Sequence, residues 1–107
     1  MKDELSPEEV LIRFFIANLS GNEKEIRPLI VDNADAALLW KGPYPPQVAE
    51  LLARQYRTMS VSRVEESLER VFLQSTAAPF SIAVVKVGST WKVDASRIIA
   101  IRKAAKK

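Results

Sequence analysis

Three aromatic residues, Trp40, Tyr44 and Tyr56, gather around the segment KGPYPP and the helix expected after it, while Trp91 stands apart in TWKVD. Ligand pockets are mostly apolar or aromatic with a few placed polar groups, and a tyrosine hydroxyl can orient what binds there. The same three side chains would equally serve to anchor a proline-rich loop without regular hydrogen bonding. For Trp91 the alternatives are a stacking wall for a ligand and a large core residue sealing sheet to helix. The core reading is the stronger, because aromatic side chains dominate burial in small domains. Asp32 and Asp35 are three residues apart, which on a helix puts both carboxylates on one face. Either of them beside Tyr56 would make a general acid–base pair. Capping explains Asp and Asn at helix starts just as well, and no third ligand accompanies the two aspartates, so no metal site is expected. Glu65, Glu66 and Glu69 read as a solvated patch.

Much other chemistry is closed to this chain. It has no cysteine and no histidine, so thiolate nucleophiles, disulfides, thiolate metal sites, the commonest general base and the commonest zinc ligand are all missing. No cofactor motif is present and no cofactor is expected. The carboxyl-terminal RKAAKK, with Arg97 and Arg102, suits either phosphate contact or a solvated helix end favoured by the helix dipole. No aromatic residue interleaves with these charges and no nucleic-acid motif accompanies them, so nucleic acid is the weaker expectation. Charge is divided along the chain: residues 1–53 carry 5 basic and 9 acidic side chains, a net of −4, and residues 54–107 carry 11 and 4, a net of +7. MKDELSPEEV lacks the apolar run of about 7 to 15 residues of a secretory signal, and no stretch approaches the ~20 apolar residues of a membrane span. The expectation is a cytoplasmic protein with no membrane partner.

The elements that must position these residues are helices first, strands second and a short basic helix last. At 107 residues and 48% hydrophobic, the chain has the size of a single domain, 1–107, with one core. Ser6, Pro7 and Glu9 form a capping box with proline at the first helical position, and Leu5 with Val10 a hydrophobic staple. Leu11, Phe14, Phe15, Ile16 and Leu19 make the first helix mostly buried, and Ser20-Gly21 stops it. Asn22 and Glu25 start a second helix that Pro28 must kink or break. Asp32 or Asn33 opens a short helical segment, Ala34 to Trp40, ended by Gly42-Pro43. Pro45-Pro46 begins a helix with Val48, Leu51, Leu52, Gln55, Tyr56 and Met59 along one face.

Residues 60–70 fit either a helix or a strand. Pro79 to Val87, Gly88-Ser89 and Thr90 to Asp94 form a strong hairpin signal. A lone hairpin is marginal in water, so Met59 to Glu65 and Val71 to Thr76 are expected to be strands as well. Along the last strand Trp91 and Val93 share one face, Lys92 and Asp94 the other. Ser96 or Asp94 caps a terminal segment in which Ile98, Ile99 and Ile101 are expected to be buried. The order predicts α+β: amino-terminal helices packed on a curved antiparallel meander of three to four strands, with a short carboxyl-terminal helix.

The capped first helix, the Ser-Gly-Asn turn with a second short helix, the meander and the late hairpin GSTWKVDA together resemble the nuclear transport factor 2-like superfamily of cystatin-like α+β domains. The resemblance implies a cone in which a curved sheet wraps helices and leaves a pocket at its open end. It also implies a homodimer formed through the sheet. The superfamily includes steroid isomerases, dehydratases, transport factors and many small bacterial proteins without known chemistry, and the last group is the nearest in character. Its enzymes use aspartate, tyrosine or histidine inside the cone; this chain has no histidine, so no catalytic residue is carried over. The expectation is a non-catalytic binding module for a small apolar or amphipathic ligand, or for a protein partner, lined by Trp40, Tyr44, Tyr56 and Trp91. The alternatives are an isomerase- or dehydratase-like enzyme using Tyr56 with Asp32 or Asp35, and nucleic-acid binding by the basic terminus.

Overall fold

The structure, a computed structural model, describes residues 5–39 and 44–105; Trp40 lies outside the described residues. Ser6 caps helix α1 (Pro7–Asn18): its hydroxyl accepts the Glu9 amide at 3.2 Å and the Glu9 carboxylate accepts from the Ser6 amide, closing the box read from the sequence. Gly21, with φ of 66°, provides the left-handed residue needed to leave the helix. Asn22 caps α2 (Glu23–Ile26), and at Pro28 the α-helix gives way to a 3-10 turn, Arg27–Leu29, because proline has no amide to continue the ladder. Asn33, whose side chain accepts the Asp35 amide at 2.8 Å, opens a shorter 3-10 helix, Ala36–Leu39.

Helix α3 (Pro46–Thr58) forms where expected but is rotated. Val48 and Leu51, anticipated on its packed face, are 42% and 57% exposed, whereas Ala53 is buried and Ala49 and Tyr56 are half-buried. The reason is steric. The alanines allow close approach to α1, and the Tyr56 ring stacks on Phe15 with centroids 5.4 Å apart, so the bulkier aliphatics turn outward.

Four strands follow: β1 (Val61–Glu66), β2 (Arg70–Ser75), β3 (Ile82–Val87) and β4 (Thr90–Asp94), antiparallel in the order β1-β2-β3-β4. The ambiguous stretch 60–70 is thus strand and turn, as its neighbours require. The segment ahead of β3 turns instead of extending: Ala77 N donates to Ser75 Oγ, and Gln74 Nε2 donates to the Ala78 carbonyl. Cross-strand partners share a face. Val71, Val84 and Val93 stand in one row pointing to the helices, and Leu73 pairs with Ile82 beside them. These residues and α1's Val10, Leu11 and Phe14 form one core cluster with Ile26, Ile30, Leu39 and Ile99. A parallel bridge from Ile30 to Val93, with Val31 N donating to the Val93 carbonyl at 2.9 Å, occupies part of the outer edge of β4. The β1 edge is charged and bulged between Arg63 and Glu65, features that discourage edge-to-edge pairing.

Asp94 precedes helix α4 (Ser96–Ala105) and accepts from both the amide and the hydroxyl of Ser96. Ala95, Ile98, Ile99 and Arg102 follow the helical spacing of the inward side. Ile101 therefore falls outside that stripe and is 49% exposed, not buried as its type suggested. No helix of the described residues is long and apolar enough to cross a membrane.

One ion-pair cluster ties the edge strand to α1. Arg63 donates through Nε and Nη2 to Glu8, at 2.7 and 3.1 Å, and through Nη1 to Glu66 at 2.9 Å. The Arg63 hydrogen bond, opposed by partial burial, holds the Glu8 carboxyl below its ordinary value of 4.5. A depressed carboxyl pKa contributes stability that is present in full above the unfolded value and is lost as pH falls through the folded one. Glu8→Gln should therefore lower the urea midpoint at pH 7, and the deficit should shrink towards about pH 3 as the carboxylate of the wild type takes up its proton. An equal deficit at both pH values would mean that the pair contributes nothing through its charge.

Candidate functional site

A pocket of about 250 Å³ lies at one end of α1, between α3, the β2–β3 turn and α4. Phe14, Phe15, Tyr56 and Phe80 provide aromatic wall, with Leu19, Ile82 and Ile98 beside them. Local sequence explains the convergence. Phe14, Phe15 and Asn18 fall within one turn of α1, Tyr56 is carried to them by the alanine contact of α3, and Phe80 comes from the chain that Pro79 keeps out of β3. Arg97 stands over the Phe80 ring at 4.5 Å, a cation–π contact that holds this wall.

The polar groups are few. Asn18 Nδ2 donates to the Phe14 carbonyl at 2.9 Å, the i−4 position of its own helix, which fixes the amide so that Oδ1 faces away from that carbonyl. Oδ1 is buried and has no hydrogen-bond partner among the described residues. Such an acceptor costs roughly 1–3 kcal/mol when nothing donates to it. Arg102 donates through Nη1 to the carbonyls of Leu38 and Leu39 at 2.9 and 3.2 Å, closing the end of the 3-10 helix. Among the described residues it is the one charged side chain in the lining. The Tyr56 hydroxyl is pushed above its ordinary value of 10.0 by burial and then by the proximity of Tyr44, so it keeps its proton at neutral pH.

No family model, curated protein or solved structure matches this chain.

Of the residues singled out in the sequence, Tyr44 and Tyr56 meet in this pocket. Trp91 does not line it. Its ring packs partly buried against the core, and Lys86 Nζ lies 5.6 Å from its centroid. Neither aspartate reaches the tyrosines' pocket: Asp32 is exposed, and Asp35 pairs with Lys103 at 3.1 Å on the surface. Among the described residues the lining therefore contains two tyrosines and no carboxylate. Several of the basic residues of the terminal segment are already engaged, Arg97 on Phe80, Arg102 on backbone carbonyls and Lys103 on Asp35. Among the described residues no group of three or more Asp or Glu side chains converges where it could hold a metal ion.

Asn18 escaped the sequence reading and Arg102 entered it only as part of the basic helix end, although both leave a trace of a role at the pocket. Asn18 is a poor helix former set in an apolar stripe between Phe14 and Leu19, and a polar residue inside such a stripe is the informative exception. Arg102 completes the inward spacing of α4, where a charge is unexpected.

A larger groove of about 660 Å³ runs along the other side of α1, lined by Glu9, Arg13, Glu25 and Arg57 with Ile12 and Leu29. It is open and carries charges of both signs, so it encloses a small apolar ligand less well than the smaller pocket does.

Proposed function

We propose that this protein is a non-catalytic binding module of the nuclear transport factor 2-like kind, holding a small apolar or amphipathic ligand in the pocket between α1, α3, α4 and the β2–β3 turn. The observation that carries this reading is the aromatic-walled pocket itself, a space of about 250 Å³ bounded by Phe14, Phe15, Tyr56 and Phe80 with few polar groups. Among the described residues no carboxylate lines the pocket beside Tyr56 to take its proton, which supports binding over acid–base catalysis.

Homodimerisation through the sheet belongs to the same proposal. The sheet face turned away from α1 carries Phe72, Ala83 and Val85, half-buried and bordered by Arg70 and Lys92. An apolar strip with a charged rim is the usual composition of a protein contact.

Native mass spectrometry of freshly purified protein tests both parts. The expected spectrum has a bound small molecule on the chain or a mass of two chains, and the bound species should disappear in Tyr56→Ala, which removes a pocket wall. Bare monomer in repeated preparations, with no thermal stabilisation by any member of a small-molecule library, would remove the support for this function.

A further inference from the structure

The rings that wall the pocket specify more than an apolar occupant. Resting on the binding function just proposed, we infer that the pocket selects a planar aromatic ligand of two fused rings over a saturated ligand with the same skeleton.

Three features lead there. First, the wall that still has surface to offer is aromatic on three separate elements: Phe15 on α1, Tyr56 on α3 and Phe80 on the β2–β3 turn are each half-buried, and Tyr44 adds a ring that is 49% exposed. Aromatic rings in offset or edge-to-face contact gain attraction beyond the area they bury, because the negative face of one meets the positive edge of the other. A saturated body of similar size gains only the burial. Second, the rings are held before anything binds. Phe15 and Tyr56 are stacked with centroids 5.4 Å apart and planes inclined at 28°, and the Arg97 guanidinium lies 4.5 Å from the centroid of Phe80. Side chains already fixed by a neighbour lose little freedom when a ligand arrives, so more of the ring contact is realised as affinity. Third, the size is that of a bicycle. A cavity of about 150 Å³ holds one benzene molecule, so about 250 Å³ has room for a second ring fused to the first and not for a steroid.

The probes are 2-naphthol, its saturated counterpart decahydro-2-naphthol, the single-ring phenol and the three-ring 9-phenanthrol, all carrying one hydroxyl. Binding is followed by titration of the isotope-labelled protein, with the methyl groups of Ile82 and Ile98, which line the pocket, as reporters. 2-Naphthol should shift these methyls and bind about threefold to tenfold more tightly than decahydro-2-naphthol, the scale of one or two ring contacts. Burial alone predicts the opposite order, because the saturated compound has the more apolar surface. Phenol, which leaves part of the pocket empty, and 9-phenanthrol, which exceeds it, should both bind more weakly than 2-naphthol. Tyr56→Leu and Phe80→Leu each replace a ring with an alkyl group and keep the wall apolar. In both, the preference for 2-naphthol should shrink while decahydro-2-naphthol binds as before, with circular dichroism verifying that each variant is folded. Equal or tighter binding of the saturated compound to the wild type, or a preference unchanged in both variants, would overturn the ligand class and leave the binding function standing. Silence from all four probes overturns the class as well. If a small-molecule library then also gives no thermal stabilisation, the binding function falls with it.

Discussion

Phe14→Ala is expected to remove about 3–5 kcal/mol of folding stability, the range for deleting a fully buried phenylalanine. Phe14 is 1% exposed and is the largest of the fully buried side chains. It sits where α1 meets the sheet, with the Phe15 ring 5.8 Å from its own, so neighbouring rings cannot collapse into the space without breaking the Phe15–Tyr56 stack. Domains of this size hold roughly 5–15 kcal/mol in total. The variant should therefore show a melting temperature lower by about 10 °C or more. Phe14 also lines the pocket, so the same substitution enlarges the cavity and should weaken any ligand that fits the wild type. Urea denaturation followed by circular dichroism reads the first effect. A loss under about 1 kcal/mol would mean that the helix–sheet seam does not carry the fold.

Val84→Asp should be still more damaging at neutral pH, with an expected loss on the order of 4–5 kcal/mol or complete unfolding. Val84 is fully buried in the middle of the row it makes with Val71 and Val93, all three on the helix-facing side of the sheet. No cation lies in that row to compensate a carboxylate, so the charged form is penalised by desolvation. The resulting pH dependence has a definite sign. Burial raises the folded-state pKa of the new carboxyl above its unfolded value, so the folded protein binds the proton more tightly and the variant gains stability as pH falls. Its urea midpoint should be higher at pH 5 than at pH 7 relative to wild type, whereas the uncharged Val84→Asn should show no such recovery. Identical pH responses in the two variants would place this side chain in contact with water and reverse the assignment of the sheet's inner face.

Both experiments probe features that local sequence made visible. The capping box of Ser6 and Glu9, the break at Pro28 and the start at Pro45-Pro46 were legible because each depends on backbone chemistry within three or four residues. The meander was legible because alternating β-branched residues flank Gly88-Ser89, whose left-handed glycine makes the reversal. Two expectations about side chains were not met: the packed face of α3 and the burial of Ile101. Each depends on how an element is rotated against a neighbour. Periodicity defines which residues share a stripe, but when two stripes of similar hydrophobicity compete, fit against the partner decides. On α3 the small Ala49 and Ala53 admitted α1 more closely than Val48 and Leu51 would have done.

The candidate site divides in the same way. Tyr44 and Tyr56 were visible as aromatic residues near a proline-rich loop, and the lack of histidine and cysteine limited the available chemistry. The Phe80 wall and the Arg102 guanidinium joined the site only through the approach of elements far apart in the chain, α1 with the β2–β3 turn and α4 with the 3-10 helix before residue 40. Backbone propensity and hydrophobic period act over a few residues, so the sequence by itself determined the elements, their order and the α+β class. Which polar atoms are sealed from water, and which charge faces an apolar wall, depends on packing across the whole chain, and that was decided by the tertiary structure alone.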